Sequence, residues 1–136
     1  MTDKTICLAT NLRRAAGVAT ELYNRHLAPS GLNVAMLRLM EVAETHPEAS
    51  ITELAGRLGL DRSTLGRNLR VLERQGMVSL GHGRDDRSRG IELTEPGRQA
   101  LEIARPLWAR AQNDLSTRLG GEAAELIRLL ESVRGD

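Results

Sequence analysis

The chain has 136 residues and a hydrophobic share of 40%, which is enough for one domain with its own core. Its net charge of +1 excludes binding to a polyanion through overall positive charge alone. One Trp, one Tyr and no Phe leave Leu, Val, Ile, Met and Ala to form that core, a composition that favours helix packing over a β-sandwich. No apolar run reaches the roughly 18 residues of a membrane-spanning helix, no signal peptide is apparent, and a single cysteine excludes an internal disulfide, so we expect a cytoplasmic protein with no membrane partner.

The first predicted element is a long helix from about Asp3 to Ala28, ended by Pro29, Ser30 and Gly31. A helix of this length cannot bury its apolar stripe on a compact small domain, so it requires a second long helix or a second subunit. The stripe has nearly helical spacing and comprises Leu8, Leu12, Ala15, Ala16, Ala19, Leu22, Tyr23 and His26.

Two shorter helices are predicted next. Asn33 is the expected N-cap of a helix from Val34 to about Glu44. Ser50 and Glu53 then form a capping box, in which each side chain satisfies a free backbone donor of the other residue. The expected buried residues are Met36, Leu37, Met40 and Val42 or Ala43 on the first of these helices, and Leu54, Ala55 and Leu58 on the second, which Gly59 ends.

The fourth predicted helix is capped by Asp61, runs to about Gln75 and is stopped by Gly76. Its core face carries Leu65, Leu69 and Leu72. Arg, Asn, Ser and Thr side chains bond base edges and phosphates in a major groove, whereas a solvated, salt-bridged helix face is the alternative interpretation. The face opposite the leucines carries Ser63, Arg67, Arg70 and Arg74, with Thr64 and Asn68 on its flanks.

A two-stranded hairpin follows, with strands at 77–80 and 91–93 and a charged loop from Gly81 to Gly90. An arginine on such a projecting loop can enter the neighbouring minor groove, and we expect Asp85 to hold one of these arginines in place. The loop carries Arg84, Asp85, Asp86, Arg87 and Arg89. Residues 57–90 hold eight arginines against four acids, a net of +4 on a remainder of −3, which is the asymmetry of a phosphate-facing surface.

The C-terminal part is predicted to be two further helices. Thr94 caps the first, which contains Pro106 and ends near Gly120 and Gly121. The second spans Glu122 to Val133, and its apolar stripe is wider than one neighbouring helix covers, which favours a two-fold dimer interface. The expected packing residues are Leu101, Ala104, Trp108, Ala111, Leu115 and Leu119, then Leu126, Ile127, Leu129, Leu130 and Val133.

This order of elements predicts a mainly α winged helix-turn-helix protein with a small β-hairpin wing. We expect a single domain over residues 1–136, with a DNA-binding lobe at 31–94 and dimerisation helices at 1–30 and 95–136. The chain resembles the MarR family (multiple antibiotic resistance regulators) of bacterial transcriptional regulators over nearly its whole length. The resemblance lies in Leu54-Ala55-x-x-Leu58, in Asp61-Arg62-Ser63-Thr64-Leu65-x-Arg67-Asn68-Leu69, in Leu72-Glu73-Arg74-Gln75-Gly76-Met77-Val78, in Asp85-x-Arg87 and in Leu93-Thr94-Glu95-x-Gly97.

The resemblance implies a homodimer that places its fourth helices in successive major grooves of a pseudo-palindromic, double-stranded DNA operator. It also implies a small-molecule effector that binds between the dimerisation helices and the DNA-binding lobe. The DNA-binding residues expected from the pattern and the resemblance together are Arg62, Ser63, Thr64, Arg67, Asn68, Arg70, Arg84, Asp85, Arg87 and Arg89.

Cys7 is the one residue that suggests a different trigger, because some relatives sense peroxides through a cysteine in the first helix. We expect Cys7 to be buried and structural, with a redox sensor as the alternative. No metal site, catalytic constellation or cofactor is expected from the residue pattern, so the chain is predicted not to be an enzyme. The prediction is a homodimeric repressor, and the alternative is a winged-helix protein-interaction module that never binds DNA.

Overall fold

The computed structural model describes residues 7–80 and 90–135. Over these described residues six α-helices and one two-stranded sheet follow one another, and the order confirms the predicted mainly α winged helix-turn-helix. The elements are α1 (Leu8–Leu27), a short 3-10 turn (Ala28–Ser30), α2 (Val34–Thr45), α3 (Ile51–Leu58), α4 (Arg62–Arg74), β1 (Val78–Leu80), β2 (Ile91–Leu93), α5 (Glu95–Arg118) and α6 (Ala123–Arg134).

The hairpin is antiparallel, with Val78 opposite Leu93 and Leu80 opposite Ile91. Val78, Ile91 and Leu93 point into the core, whereas Ser79 and Glu92 between them face outward. This alternation is the period-two pattern of a strand with one buried face. The sheet therefore covers one side of the lobe rather than crossing it.

The core fills the space between α2, α3, α4, the hairpin and the first half of α5. Leucine provides most of its volume, as expected for a chain almost without aromatic residues. On α2 the structure buries Ala43 rather than Val42, leaves Met36 half-buried, and buries Leu39, which the predicted face omitted. The fully buried large side chains are Leu22, Leu27, Leu37, Leu39, Met40, Leu54, Leu65, Leu69, Leu72 and Leu101.

Helix α1 packs along α5, its partner in the same chain. The Tyr23 hydroxyl donates to Gln112 Oε1, and His26 Nε2 lies 3.3 Å from Asp114 Oδ2, across a separation of 88 residues in the sequence. This contact covers the C-terminal half of α1 alone. Leu8 is 75% exposed and Leu12 41% exposed, which confirms that one compact lobe does not bury the whole stripe.

Helix α6 contributes no buried residue to the chain. Its apolar side chains are the ones predicted, yet Val133 is 71% exposed and Ile127 54% exposed. Helix α5 runs without a break through Pro106, and burial along it reaches Leu101, Ala104 and Ala111. Within residues 7–80 and 90–135, no helix has both the length and the apolar content to cross a lipid bilayer.

Candidate nucleic-acid interface

Helix α4 begins at a side-chain cap that also organises its first turn. Asp61 has extended backbone angles, and its Oδ1 accepts the Thr64 backbone N–H at 2.7 Å and the Ser63 hydroxyl at 2.8 Å. These bonds favour the charged carboxylate, with the Thr64 N–H as the largest cause, and lower the pKa of Asp61 to about 2. The predicted cap is confirmed, and the carboxylate is ionised at neutral pH.

The two faces of α4 differ as the leucine spacing predicts. Leu65, Leu69 and Leu72 are 0–2% exposed and anchor the helix in the core. The other side projects into solvent, and Thr64 and Asn68 are half-buried at its edges. The exposed predicted residues on this helix are Arg62, Ser63, Arg67, Arg70 and Arg74.

The polar side chains of this face are partly preorganised. Arg67 Nη2 donates to Thr64 Oγ1 at 3.2 Å, one turn earlier on the helix. This bond uses one guanidinium nitrogen and restrains the side chain along the exposed face. A guanidinium has five N–H donors, so most of those of Arg67 stay available for a base edge or a phosphate.

Helix α3 and its turn fix where α4 starts. The Ser50 hydroxyl accepts the Glu53 N–H at 3.1 Å and itself lies 3.3 Å from Glu53 Oε1, to which it donates. The carboxylate thus pairs with the Ser50 hydroxyl, not with the Ser50 N–H that a capping box predicts. At the other end Gly59 adopts φ +67, as predicted for a left-handed cap, and its turn leads into Asp61.

The C-terminal end of α4 is joined to α5 through Thr94. Its hydroxyl donates to Gly76 O at 2.5 Å and accepts the Gly97 N–H at 3.1 Å, while its N–H donates to Met77 O at 3.1 Å. A Cβ on Gly97 would overlap the Met77 carbonyl oxygen and lie 2.9 Å from its carbon. Sequence reasoning identified Thr94 as a cap. It missed the joint between α4 and α5, meaning the Thr94 hydrogen bonds to Gly76 and Met77 and the close approach of Gly97 to Met77, whose signal is a glycine three residues after the capping threonine.

The predicted wing residues Arg84, Asp85, Arg87 and Arg89 lie outside the described residues, as does the whole segment 81–89. The two strands on either side of this segment are described: β1 ends at Leu80 and β2 begins at Ile91. Six predicted DNA-binding residues are therefore brought together on α4, namely Arg62, Ser63, Thr64, Arg67, Asn68 and Arg70.

Cys7 is exposed at the N-cap position of α1, so the expectation that it is buried is wrong for the single chain. The hydroxyl and backbone of Thr10 hydrogen-bond the sulfur and lower the pKa of the thiol. Burial was expected because most unpaired cysteines pack as small apolar residues. Among residues 7–80 and 90–135, nothing buries the first turns of α1, whose side chains are exposed.

Comparison with known proteins agrees with this geometry. The model of the MarR family matches residues 30–88. The chain is 36% identical to the transcriptional regulator MosR of M. tuberculosis, which has been solved with DNA. The alignment covers 94% of this chain and 98% of MosR, and the two structures superpose with a TM-score of 0.76.

Two further relatives extend the comparison. The transcriptional repressor CouR bound to p-coumaroyl-CoA is 27% identical, with 98% of this chain and 96% of that chain covered and a TM-score of 0.85. A putative transcriptional regulatory protein for the hcr operon of Thauera aromatica is 29% identical over 93% of this chain and 78% of its own length.

Proposed function

The chain belongs to the MarR family of DNA-binding transcriptional regulators, and from that membership we propose that it is a homodimeric repressor of a pseudo-palindromic operator. It is a regulator and not an enzyme. The alternative of a protein-interaction module without DNA binding is not favoured, because the relative MosR has been solved in complex with DNA and the relative CouR bound to a DNA duplex.

The observation that carries the proposal is the exposed face of α4. Arg67, Arg70 and Arg74 project from one side of a helix whose other side is anchored by three buried leucines. Glu73 is the only acid within the helix, so most of the positive charge has no partner of opposite sign beside it in the sequence. A rigid helix with this face fits a major groove, where arginine bonds guanine and phosphates.

We propose that Arg62, Ser63, Thr64, Arg67, Asn68 and Arg70 contact bases or nearby phosphates. The wing residues Arg84, Asp85, Arg87 and Arg89 complete the proposed site, with Arg87 in the minor groove and Asp85 holding a neighbouring arginine. In this proposal the chain is a single domain, with the DNA-binding lobe at 31–94 and dimerisation helices at 1–30 and 95–136. It acts in the cytoplasm, where the operator is.

The dimer part of the proposal rests on apolar surface that one chain leaves uncovered. No residue of α6 is buried, and Ile127, Leu129 and Val133 are each about half or more exposed. Helix α1 exposes Leu8, Leu12 and Val18 in the same way. A second copy that covers both helix faces would bury this surface and bring two α4 helices to one side of the assembly.

Substitution of Arg67 tests the DNA-binding part. We expect Arg67→Ala to weaken binding to a selected duplex and to reduce the slope of log affinity against log salt by roughly one, because one phosphate-neutralising or base-contacting cation is lost. Arg38→Ala is the charge-matched control, since Arg38 lies on α2 and is paired with Glu41 at 3.4 Å. If the wild-type chain binds no duplex in a salt-dependent way, the DNA-binding proposal is wrong.

For the release step we propose a small-molecule effector. An open depression lies where α1 meets the start of α2, lined by Glu21, Asn24, Arg25 and Ala28, and Asn24 Oδ1 accepts the Val34 N–H at 2.9 Å. This is the region between a proposed dimerisation helix and the proposed DNA-binding lobe, and the relative CouR has been solved with p-coumaroyl-CoA. A screen of small molecules for release of the bound duplex tests the step.

The second release mechanism is oxidation of Cys7, which the exposure of this thiol and its lowered pKa support. We expect peroxide to release the wild-type protein from DNA and to leave Cys7→Ser bound. Release of Cys7→Ser at the same peroxide concentration would exclude the thiol mechanism and leave the effector as the trigger.

A further inference from the structure

The first turn of α4 carries two adjacent hydroxyl groups whose hydrogen-bond roles are set by charged neighbours. Ser63 Oγ lies 2.8 Å from Asp61 Oδ1, and Thr64 Oγ1 lies 3.2 Å from Arg67 Nη2. Ser63 is exposed and Thr64 half-buried at the edge of the same face. A free hydroxyl can turn to donate or to accept, but these two hydroxyls have fixed partners.

Ser63 is left as an acceptor. The Asp61 carboxylate is ionised at neutral pH, because the N–H and hydroxyl groups around it hold its pKa at about 2. An ionised carboxylate has no proton to give, so the Ser63 hydroxyl must be the donor in this pair. The proton of Ser63 is thereby committed to Asp61, and only its oxygen lone pairs remain for another molecule.

Thr64 has the opposite role. An arginine guanidinium has donors and no acceptor, so Thr64 Oγ1 must accept from Arg67. The proton of Thr64 then remains free to donate to a phosphate or a base acceptor. Two neighbouring hydroxyls on one face therefore offer opposite halves of a hydrogen bond.

The bond between Ser63 and Asp61 is also the one that should persist on DNA. Hydrogen bonds to an ionised partner are about twice as strong as those between neutral groups. If Ser63 turned its proton toward a phosphate, the Asp61 carboxylate would lose a donor just where a second negative charge approaches. The acceptor state of Ser63 is consequently favoured in the complex as well as in the free chain.

Only some atoms of a major groove can donate to an acceptor. Phosphate oxygens, guanine O6 and N7, and thymine O4 are all acceptors, whereas cytosine N4 and adenine N6 carry the amino groups that donate. We propose that Ser63 contacts the exocyclic amino group of an adenine or cytosine in each half-site, and that Asp61 imposes this choice through Ser63. The inference rests on the proposed function, and it makes Ser63 a base-reading residue and Asp61 a positioning residue.

The test compares base preferences after selection of bound duplexes from a random pool. We expect the wild-type consensus to contain, in each half-site, one position that prefers adenine or cytosine over guanine or thymine on the same strand. Ser63→Ala should lose that preference by roughly fivefold, the value of one hydrogen bond of about 1 kcal/mol. Thr64→Val is the matched comparison: it removes the neighbouring hydroxyl with its own proposed DNA contact and its bond to Arg67, so overall affinity should fall while the amino-base preference at this position stays.

Asp61→Ser distinguishes the effect of Asp61 on the Ser63 hydroxyl from its effect as the N-cap of α4. Serine caps helices about as well as aspartate, but its neutral oxygen lies one bond closer to the backbone and is a weaker acceptor for the Ser63 proton. We expect the variant to stay folded and to lose the same amino-base preference as Ser63→Ala. A change in capping alone would alter stability and leave the base preference at this position intact.

Base analogues give the second measurement. In the selected duplex, the preferred adenine is replaced by purine, or the preferred cytosine by 2-pyrimidinone, so that the amino group alone is removed. The wild type should bind roughly fivefold more weakly per half-site, and Ser63→Ala should be insensitive to the replacement.

Two outcomes would overturn the inference while leaving the proposed function in place. One is that Ser63→Ala weakens binding to all sequences equally, which indicates a phosphate contact. The other is that the relaxed position prefers guanine or thymine, which indicates a donating Ser63. Absence of any salt-sensitive duplex binding would instead overturn the proposed function itself.

Discussion

Replacing Gly97 with alanine perturbs the joint between α4 and α5 at one atom. A Cβ at this position would overlap the Met77 carbonyl oxygen and lie 2.9 Å from the carbonyl carbon. The optimal van der Waals separation of non-bonded carbon atoms is about 3.5–4.0 Å. The start of α5 must therefore move away from Met77 by more than about 1 Å, because the overlapping oxygen requires a larger shift than the carbon and backbone atoms cannot move aside by a change of rotamer.

That movement falls on the hydrogen bonds that Thr94 makes to the end of α4. The bonds to Gly76 O and Met77 O are 2.5 and 3.1 Å long, and a shift of this size stretches the first to the limit of a hydrogen bond and takes the second past it. Their loss costs about 1 kcal/mol each, and the steric insertion adds about 1–3 kcal/mol. We expect Gly97→Ala to lower the free energy of unfolding by about 3–5 kcal/mol in total.

The assay is urea unfolding followed by far-UV circular dichroism, at one protomer concentration because a dimer's stability depends on it. Gly56→Ala is the matched control: Gly56 lies inside α3 with no atom within 4 Å of the added Cβ. Alanine there should stabilise the protein by about 1 kcal/mol, since glycine is the poorer helix former. If Gly97→Ala is as stable as the wild type, α5 does not approach Met77 as described.

Three other predictions test the cap, the core and the proposed interface. Because the pKa of Asp61 is lowered to about 2, its cap stabilises the fold fully above about pH 4, and this contribution is lost as the pH falls through about 2. The difference in urea midpoint between the wild type and Asp61→Ala should therefore be constant above about pH 4 and shrink between about pH 4 and 2. Leu69→Ala, at a side chain 2% exposed, should cost about 2–5 kcal/mol in the same urea assay, and a smaller loss would mean that the site repacks without a cavity. Ile127→Glu should shift the sedimentation of the proposed dimer toward the monomer, whereas Ser132→Glu, on the polar side of α6, should not; equal effects of the two variants would place the dimer interface away from the apolar face of α6.

Much of the fold could be predicted because its signals are local. Asn33 and Asp61 accept backbone N–H groups three residues ahead, as their positions before apolar-periodic segments predict. Gly59 and Gly76 end their helices with positive φ values. A cap or a left-handed glycine is decided within about four residues, so the chain itself carries the information.

What the sequence left open depends on contacts between distant segments. The pairs of Tyr23 with Gln112 and of His26 with Asp114 join residues almost 90 positions apart, and no spacing rule connects them. The exposure of Cys7 has the same origin, since it depends on which neighbour the first turns of α1 lack. The face of α4 was predictable because helical periodicity alone assigns it, whereas the hydrogen-bond roles of Ser63 and Thr64 required atomic distances.

The hydrogen bonds of Thr94 couple the position of α4 to the orientation of α5. Helix α5 has 24 residues and is about 36 Å long at 1.5 Å per residue, and its cap Thr94 is hydrogen-bonded to Gly76, just after the end of α4. A tilt of α5 by about 1° about one end therefore displaces its other end by roughly 0.6 Å. In the proposed dimer, a rotation of about 3° in each protomer would move each α4 by roughly 2 Å, and so change by up to roughly 4 Å a separation that must match the DNA turn of about 34 Å.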